Sequence, residues 1–322
     1  TSLVRHAFPG LPVVIGGIEA SMRRATHYDF WSDAMRRSIL FDSKADLLVY
    51  GMAERSILEV ATRLKAAGLD TTKADRKAVK KILEGILGTV YVAEGVPAGT
   101  EARPLPSHEE IVADPKKLMA ATLLLEQQSH NGGPWLTQAH LERTLVLAPP
   151  AAPLTTRELD DLYALPFTRR AHPSYAKAPP ALEMIQFSVT SHRGCASGCS
   201  FCALALHQGR RVASRSQESI LAEIRAMTAH PAWRGSITNI GGATVNMWGA
   251  ACAGNPATCR RTCCLWPKIC GDFKTDQSDQ MALMRAAARL PGVKHVRTAG
   301  GVRHDLAMTD RKYMEALVGE FT

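Results

Sequence analysis

Three cysteines spaced C-x3-C-x2-C constrain this chain more than any other feature of its sequence. The stretch HRGCASGCSFCAL places Cys195, Cys199 and Cys202 within eight positions. A four-iron cluster has four irons that each take one external ligand, and cysteine thiolates commonly supply these ligands. Three thiolates in one loop would hold three irons and leave the fourth open, as catalytic metal sites leave a coordination position open. Structural zinc is the alternative, although it usually takes four ligands grouped as two pairs.

The distribution of the other cysteines also favours metal ligation. All eight cysteines lie between Cys195 and Cys270, and the remaining positions have none. No signal-peptide pattern opens the sequence, and no apolar run approaches the ~18 residues of a membrane span. We therefore expect a cytoplasmic protein that does not contact a membrane. Because that compartment keeps thiols reduced, the clustered cysteines indicate a metal or cluster site rather than a disulfide framework.

Length and charge set broader limits. The 322 residues suffice for about two domains at roughly 100–200 residues each, and 46% of them are hydrophobic, which is enough for a sizeable core. The net charge of +9 is compatible with binding to nucleic acid or to an anionic ligand, and it establishes neither. Because the sequence opens on Thr1 rather than Met, we expect its natural N-terminus to lie upstream.

Residues 1–96 alternate short apolar runs with an amphipathic segment. LPVVIGG, ADLLVYG and GTVYVA are rich in β-branched residues, which is typical of buried strands. ERSILEVATRL carries apolar residues at helical spacing. This alternation predicts an open, mostly parallel α/β sheet. Residues 97–180 are rich in proline around one helical stretch, PKKLMAATLLLEQQ, and we predict that they form a connector.

Residues 181–322 contain three β/α units. The first strand is predicted in MIQFSVTSHRGC, where Ile185, Phe187 and Val189 alternate with polar residues; SITNIGG and VKHVRTAGG supply the next two. The predicted helices are SQESILAEIRAM, with Ser216 as its N-cap, DQMALMRAAARLPG and TDRKYMEALV. The cysteine loop follows the first strand, at the end where α/β barrels carry their active sites.

These features resemble a known family. The cysteine spacing, the aromatic Phe201 before the last cysteine and the position after a first strand resemble the signature of the radical S-adenosylmethionine (SAM) superfamily. Longer stretches resemble its YgiQ-type branch over essentially the whole chain. The stretches are PVVIGGIEASMRRATHYDFWSD, SILFDSKADLLVYGMAERSILEVA, LPFTRRAHPSY, RSQESILAEI, GGATVNMW and the later cysteine-rich segment.

The resemblance implies a fold and a chemistry. The fold would be a Rossmann-like, cobalamin-binding-like N-terminal domain followed by the first half of a six-unit (β/α) partial barrel. The open iron of a 4Fe-4S cluster would chelate SAM. One electron from a flavodoxin- or ferredoxin-type reductant would then cleave SAM to methionine and a 5′-deoxyadenosyl radical, which abstracts hydrogen from a substrate.

The resemblance also implies roles for individual residues near the cluster. Phe201 would pack near the adenine of SAM, and Gly241 and Gly242 would let the backbone approach the methionine amino group. An ordinary strand-to-loop turn is the alternative explanation of the glycine pair. No catalytic residue is assigned from the sequence.

Some properties of the family are not carried by this sequence. The chain has three of six barrel units, so we expect it to be incomplete at both ends, and the substrate stays unknown. Cobalamin cannot be inferred, because its ligating motif would lie upstream of Thr1. RNA modification rests only on the positive charge. A non-enzymatic iron–sulfur or zinc module for electron transfer or structure is the alternative function.

The remaining cysteines suggest a second site. The segment CAGNPATCRRTCCLWPKIC contains five thiols, and Arg260, Arg261 and Lys268 among them would favour thiolates. We predict an auxiliary iron–sulfur cluster or structural zinc with four ligands, Cys252, Cys259, Cys264 and Cys270. Cys263 is left out, since its closeness to Cys259 would strain the loop. A reduced loop without metal is the alternative.

Overall fold

The structure is a computed structural model that describes residues 1–68, 75–255, 258–274 and 276–321. Two compact units divide the chain. The first comprises residues 1–152 with 206–209 and 256–259, and the second comprises residues 153–205, 210–255 and 260–322. In the described part of the chain, no helix combines the length and apolar character needed to cross a membrane. The limits of the domains predicted from sequence, 1–96, 97–180 and 181–322, stay a prediction.

The first unit is an α/β unit, as expected. Its helices are α1 (Ser2–Ala7), α2 (Gly17–Met22), α3 (Ile39–Ser43), α4 (Glu54–Ala66), α5 (Arg76–Leu83), α6 (His108–Ala113) and α7 (Lys117–Asn131). Its strands are β1 (Val14–Ile15), β2 (His27–Asp29), β3 (Ala34–Arg36), β4 (Leu47–Val49), β5 (Thr89–Ala93), β6 (Ala102–Pro104), β7 (Trp135–His140) and β8 (Arg143–Leu147). The strands and amphipathic helix predicted in residues 1–96 are thus present as β1, β4, β5 and α4.

Six strands of this unit form one sheet in the order β1-β4-β5-β8-β7-β6. The pairs β1–β4 and β6–β7 are parallel, which gives the sheet its Rossmann-like ends. The three central pairs, β4–β5, β5–β8 and β7–β8, are antiparallel. The mostly parallel pairing expected from the sequence therefore holds only at the two ends. A two-residue turn with Leu141 at φ 53° joins β7 to β8, and so short a connection allows only antiparallel pairing.

Both faces of this sheet are buried. Alternate residues along β4 and β5 point to opposite faces, so that Leu48 and Val90 belong to one apolar cluster while Leu47 and Tyr91 belong to the other. Leu47, Leu48 and Val90 have no exposed surface. Burial of a side chain of this size stabilises a fold by about 2 kcal/mol. The sheet is therefore the centre of the first unit.

Residues 97–152 do more than connect. They supply β6, β7, β8, α6 and α7, and β8 lies in the middle of the sheet. A capping box begins α6, because the Ser107 side chain accepts from the Glu110 backbone N–H and the Glu110 side chain accepts from the Ser107 N–H. The connector prediction is too simple for this segment, since proline there lies at strand ends and turns rather than in a linker.

The second unit is also α/β. Its helices are α8 (Thr156–Tyr163), α9 (Ala181–Ile185), α11 (Gln217–Thr228), α12 (Ser278–Ala288), α13 (His304–Ala307) and α14 (Arg311–Gly319), with a 3₁₀ turn at Val245–Met247. Its strands are β9 (Ser188–Thr190), β10 (His192–Arg193), β11 (Ala213–Ser214), β12 (Ser236–Ile237), β13 (Asn239–Gly241) and β14 (His295–Val296). Helix α10 (Leu204–Gln208) is divided between the units, since Leu206–Gly209 belong to the first.

The expected three β/α units are present in the second unit. Strand β9 pairs in parallel with β13, and β12 pairs in parallel with β14. Helices α11, α12 and α14 pack on these strands around a common apolar core, in which Ile220, Ile240 and Leu283 have no exposed surface. Ser216 caps α11 as predicted, its side chain accepting from the Ser219 N–H. This arrangement agrees with the three β/α units expected from the sequence.

Two strands differ in detail from the sequence prediction. Ile185, expected in the first strand, is the last residue of α9 and is 61% exposed, and β9 begins only at Ser188. The predicted strand extends too far towards the N-terminus, because residues in one helical turn can also show an alternating apolar pattern. The second strand is interrupted at Thr238, whose N–H still bonds to the Phe187 carbonyl, so the two halves β12 and β13 pair with different neighbours.

Candidate functional site

The cysteine loop begins directly after β10, the short strand that follows β9. Strands β10 and β11 pair as a short antiparallel ribbon that closes the base of this loop. Gly194 lies at the base with φ 91°, and a Cβ atom there would overlap the Arg211 carbonyl oxygen. Only glycine fits both conditions, because L-residues rarely adopt this φ and the overlap is with backbone. The ribbon therefore fixes the backbone position at which the cysteine loop begins.

Inside the loop, small residues are buried and the thiols are half-buried. Ala196 and Ser197 are 1% and 3% exposed, and Cys195, Cys199 and Cys202 are intermediate in exposure. The Cys202 N–H donates to the Cys199 carbonyl oxygen at 3.0 Å, which turns the chain between the last two cysteines. Phe201, predicted from the family resemblance to pack near adenine, is 91% exposed. Its ring is thus accessible beside the cysteines.

The later cysteine-rich segment packs against the same loop. The Cys264 N–H donates to the Ala196 carbonyl oxygen at 3.0 Å, and a Cβ atom at Gly198 would overlap the Thr262 carbonyl oxygen. Cys263 is 7% exposed, and its sulfur accepts from the Leu265 and Trp266 N–H groups at 3.4 and 3.3 Å. This buried thiol therefore stabilises a turn, and the choice of auxiliary ligands that leaves it out stays a prediction.

The four predicted auxiliary ligands have different surroundings. Cys252 is exposed and pairs with Phe273 in a β-bridge, while Cys264 and Cys270 are half-buried and joined by a backbone hydrogen bond of 2.8 Å. Cys259 belongs to the first unit. Arg261, expected to favour thiolates, donates instead to the backbone carbonyls of Cys263, Trp266 and Lys268. Through these three hydrogen bonds Arg261 holds the backbone of residues 261–268 in a loop.

The predicted glycine pair has a packing reason. A Cβ atom on Gly242 would overlap the His192 carbonyl oxygen and lie 2.7 Å from His192 Nε2. A Cβ atom on Gly241 would lie 3.0 Å from the Val245 Cα. The close approach of backbone at the end of β13 requires glycine at Gly242 without any ligand. The proposed contact of this pair with SAM stays a prediction.

A cationic side chain reaches the cysteine loop from the third β/α unit. Arg303 Nη1 donates to Cys199 Sγ at 3.1 Å. The rest of its guanidinium is held by Asp305, to which Nε donates at 3.0 Å and Nη2 donates as well. This hydrogen-bonded carboxylate raises the pKa of Arg303, with a smaller contribution from Cys199. Arg303 therefore stays protonated beside the sulfur.

Asn246 and Thr244 fix the backbone that carries Arg303. Asn246 is 1% exposed; its Oδ1 accepts from the Arg303 N–H at 2.8 Å and its Nδ2 donates to the Arg303 carbonyl at 3.0 Å. Thr244 Oγ1 donates to the Gly301 carbonyl at 2.9 Å. The loops after β13 and β14 are thereby joined next to the cysteines.

Sequence reasoning missed Arg303, Asn246 and Thr244. A usable signal was present, because loops that follow neighbouring parallel strands meet at one edge of the sheet. GGATVNM and GGVRHD follow the second and third strands, and both contain polar residues after a glycine pair. What sequence alone does not show is that Arg303 points to Cys199.

The residues present fit a four-iron cluster in donor type. Three thiols lie in one loop, none of them in a disulfide, and a guanidinium contacts one of the sulfurs. In residues 1–68, 75–255, 258–274 and 276–321, no three His, Cys, Asp or Glu side chains are grouped so as to hold a metal ion. Binding a cluster would thus require the three thiols to converge, which half-buried side chains in a loop can do more easily than side chains of a packed core.

His192 makes the base of the loop sensitive to acid. It is 1% exposed, Ser191 Oγ lies 2.9 Å from its Nδ1, and burial lowers its pKa to about 4, although the Thr244 backbone opposes this lowering. An unfolded histidine titrates near ~6.5, so the unfolded chain binds more protons between these two values. We expect this group to withdraw up to about 3 kcal/mol of stability as the pH falls from 6.5 to 4.

Urea unfolding at pH 7.5 and 5 checks this expectation. The wild-type protein should lose more stability between the two pH values than His192→Gln, which has no imidazole to protonate. His140, whose pKa burial also lowers to about 4, is present in both proteins and cancels in the comparison. Replacement of the exposed His295 by Gln is the control and should leave the wild-type loss unchanged. Equal losses in wild type and His192→Gln would refute the assignment.

A separate cavity of about 550 Å³ lies between α8 and α11. Its lining includes Tyr163, Arg169, Glu223 and His230, and it contains no cysteine. The cavity is therefore not part of the cysteine loop, whose neighbours are Arg303 and residues 262–264.

Comparison with known proteins shows the family of the chain, through a model match that ends before the cysteine loop. A family model described as Radical SAM N-terminal matches residues 1–188. A UPF0313 protein of Geobacter sulfurreducens is 44% identical over 325 residues, covering 99% of this chain and 52% of the relative. A UPF0313 protein of Methanosarcina acetivorans is 42% identical over 334 residues, covering 98% of this chain and 45% of the relative. The chain spans about half the length of the curated relatives it matches.

Among solved structures, the chain is similar to the radical S-adenosylmethionine methyltransferase TsrM from Kitasatospora setae, which has cobalamin and a [4Fe-4S] cluster bound. The sequence identity is 17%, the TM-score is 0.34, and the match covers 73% of this chain and 31% of that chain.

Proposed function

Because the chain belongs to the Radical SAM N-terminal family, as a YgiQ-type (UPF0313) member of the radical SAM superfamily, we propose that it holds a SAM-cleaving 4Fe-4S centre. The proposed ligands are Cys195, Cys199 and Cys202. When bound, the cluster and SAM would supply a 5′-deoxyadenosyl radical for hydrogen abstraction, after transfer of one electron from a flavodoxin- or ferredoxin-type reductant. The substrate is not assigned.

One observation carries this proposal. The loops after three neighbouring parallel strands meet at the cysteines: the cysteine loop follows β9, Thr244 and Asn246 follow β13, and Arg303 follows β14. Ligands of α/β folds bind at this edge, outside the carboxyl ends of the strands. A loop that only closed a structural zinc site would not need the ends of the other two strands.

The chain's own residues would divide the work of binding. The ribbon β10–β11 holds the base of the cysteine loop, and Ala196 and Ser197 are buried inside it, so the backbone would stay attached while the thiols move towards a cluster. Arg303 would place a fixed positive charge beside the Cys199 sulfur. Phe201, 91% exposed, would bury its ring against the adenine of SAM, which would also exclude water from that side.

Gly242 would contribute backbone rather than a side chain. Since its lack of Cβ is already required by His192, the end of β13 lies close to the cysteine loop. A methionine amino group of SAM near the cluster would find carbonyl acceptors at Gly241 and Gly242 there. This supports the predicted role of the glycine pair, although packing accounts for Gly242 independently.

An auxiliary metal site at Cys252, Cys259, Cys264 and Cys270 stays part of the proposal, with iron–sulfur and zinc as alternatives. Its support is the half-buried pair Cys264 and Cys270, which lies on the segment that packs against the first cysteine loop. Nucleic-acid binding and a cytoplasmic location stay predictions from the sequence, and cobalamin is not inferred from it; none of the three contributes to the assignment.

Anaerobic reconstitution with iron and sulfide tests the proposed centre. We expect about four irons or more per chain, tight binding of SAM, and formation of methionine and 5′-deoxyadenosine when dithionite is added. This cleavage consumes only SAM and an electron, so the assay can be run without knowing the substrate. Mass spectrometry of the two products and iron analysis are the measurements.

The same assay separates the alternative function. A protein that acquires a cluster but neither binds nor cleaves SAM would be an electron-transfer or structural module. A protein that binds zinc and no iron under these conditions would contradict the cluster. The accessible Phe201 ring beside Cys202 favours the enzyme, because a nucleobase can stack on an exposed aromatic ring.

A further inference from the structure

We infer that Arg303 is a positioning residue that donates a hydrogen bond to the Cys199 sulfur and thereby raises the reduction potential of the cluster at that loop. The inference rests on the proposed function, which supplies the cluster. It adds a residue from the third β/α unit, 104 positions away in sequence, that acts on the cluster through one of its ligands.

The hydrogen bond is directed and its donor is held on several sides. Arg303 Nη1 lies 3.1 Å from Cys199 Sγ, while Nε and Nη2 donate to Asp305. Because a guanidinium is planar, the bidentate contact with one carboxylate fixes the direction in which Nη1 points. Asp305 thus aims the third nitrogen of Arg303 at the sulfur.

The backbone of Arg303 is equally constrained. Asn246, buried in the 3₁₀ turn that follows β13, bonds to both the N–H and the carbonyl of Arg303 at 2.8 and 3.0 Å. Such a bidentate amide contact prevents the loop from sliding along the strand ends. The donor therefore comes from a braced part of the fold, whereas Cys199 lies in a loop whose thiols must move to bind a cluster.

A donor of this kind has a predictable effect on a cluster. Reduction adds one electron, and the cluster with its thiolate ligands becomes more negative by one charge. A cation and a hydrogen bond at a ligand sulfur stabilise the more negative state, which raises the potential. Asp305 weakens the net charge of the pair, so the hydrogen bond to sulfur remains the larger part of the effect.

The test is the midpoint potential of the reconstituted cluster without SAM, followed by the EPR signal of the reduced cluster in a redox titration. At a fixed potential, Arg303→Gln should lower the ratio of reduced to oxidised cluster about tenfold, equivalent to ~59 mV for a one-electron couple. Arg303→Lys keeps the charge and should give a smaller decrease. SAM affinity is measured alongside, by isothermal titration of the oxidised protein.

Arg311→Gln is the matched control. It removes the same charge from an exposed pair with Glu315, where Arg311 is 91% exposed, and should leave the wild-type potential unchanged. If Arg303→Gln holds no cluster, Arg303→Lys decides, and a wild-type potential in that variant overturns the inference. An unchanged potential with weakened SAM binding overturns it too, since Arg303 would then serve SAM. Failure of the wild-type protein to form any cluster would refute the proposed function itself.

Discussion

Replacement of Cys195, Cys199 or Cys202 by Ala, one at a time, is expected to reduce SAM cleavage at least about 100-fold, to the background of the assay. Loss of even a residue behind the metal ligands costs about 10–100-fold in comparable sites, and here a direct ligand is lost. With two thiolates left, the loop cannot hold three irons of a four-iron cluster. Product formation with dithionite and iron per chain are the measurements.

Cys263→Ala is the control for this series. Its thiol lies in the same half of the chain, is 7% exposed and bonds to the Leu265 and Trp266 N–H groups, so it has a structural role. We expect this variant to lose stability by about 1–2 kcal/mol and to keep SAM cleavage. Activity retained in all three ligand variants would refute the assignment of the cluster. Iron or zinc that remains bound to a variant lacking all of Cys195, Cys199 and Cys202 would support the auxiliary site.

Local sequence patterns identified the elements around the site well. The helix α11 with its Ser216 cap and the strand in SITNIGG follow from periodicity and capping, which are determined by residues close in sequence. Pairing between strands is a different matter. The antiparallel centre of the first sheet depends on β8. Its pairing with β7 follows from the two-residue turn between them, whereas its pairing with β5 is determined by tertiary packing, and nothing in LERTLVLAPP specifies it.

The chemical content of the site could likewise be predicted only in part. The cysteine spacing identifies candidate ligands because their function requires them to be near in sequence. Arg303 has no such requirement, since it reaches Cys199 through the meeting of two strand ends and the amide of Asn246. For Gly242 the sequence suggests more than the structure requires. A glycine near a ligand site is readily explained by close approach of the ligand, but here packing against His192 already leaves no room for a Cβ atom.

A buried ion network holds β9, the strand that leads into the cysteine loop. Glu223, on α11, pairs with both Arg169 and Arg215, and its side chain is 11% exposed. Arg169 Nη1 donates to the Ser188 carbonyl at 3.1 Å, at the beginning of β9. Arg215 Nη1 donates to the Thr190 carbonyl at 2.9 Å, at its end. Glu223 therefore holds two arginines that bind the two ends of the strand leading into the loop.

Loss of the pairing between Glu223 and Arg215 would be costly because Arg215 is buried. Its side chain is 1% exposed, and its guanidinium lies 4.3 Å from the centre of the Tyr163 ring. Ser219 Oγ and the Thr190 carbonyl accept its other hydrogen bonds, and neither carries charge. Removing the carboxylate would leave a buried guanidinium with neutral partners, which is far more costly than losing an exposed ion pair.

We expect Glu223→Gln to destabilise the protein by about 3–5 kcal/mol, because the variant keeps the size of the side chain and loses only its charge. Glu320→Gln is the matched control, since Glu320 pairs with Arg285 and both side chains are more than 40% exposed; it should cost less than about 1 kcal/mol. Urea unfolding followed by tryptophan fluorescence measures both values. Similar midpoints for the two variants would contradict the role of the network.

A double variant shows whether the cost comes from the unpaired charge. Arg215→Gln alone removes the buried cation, and combining it with Glu223→Gln removes both charges of the pair. If the cost of Glu223→Gln arises from a guanidinium left without its partner, the two changes together should cost clearly less than the sum of their separate costs. Strict additivity would mean that the cost of Glu223→Gln does not come from its pairing with Arg215, which leaves the pairing with Arg169 as its source. The iron content after reconstitution should be lowest in the variants that lose most stability, since the cysteine loop starts from the strand that these arginines hold.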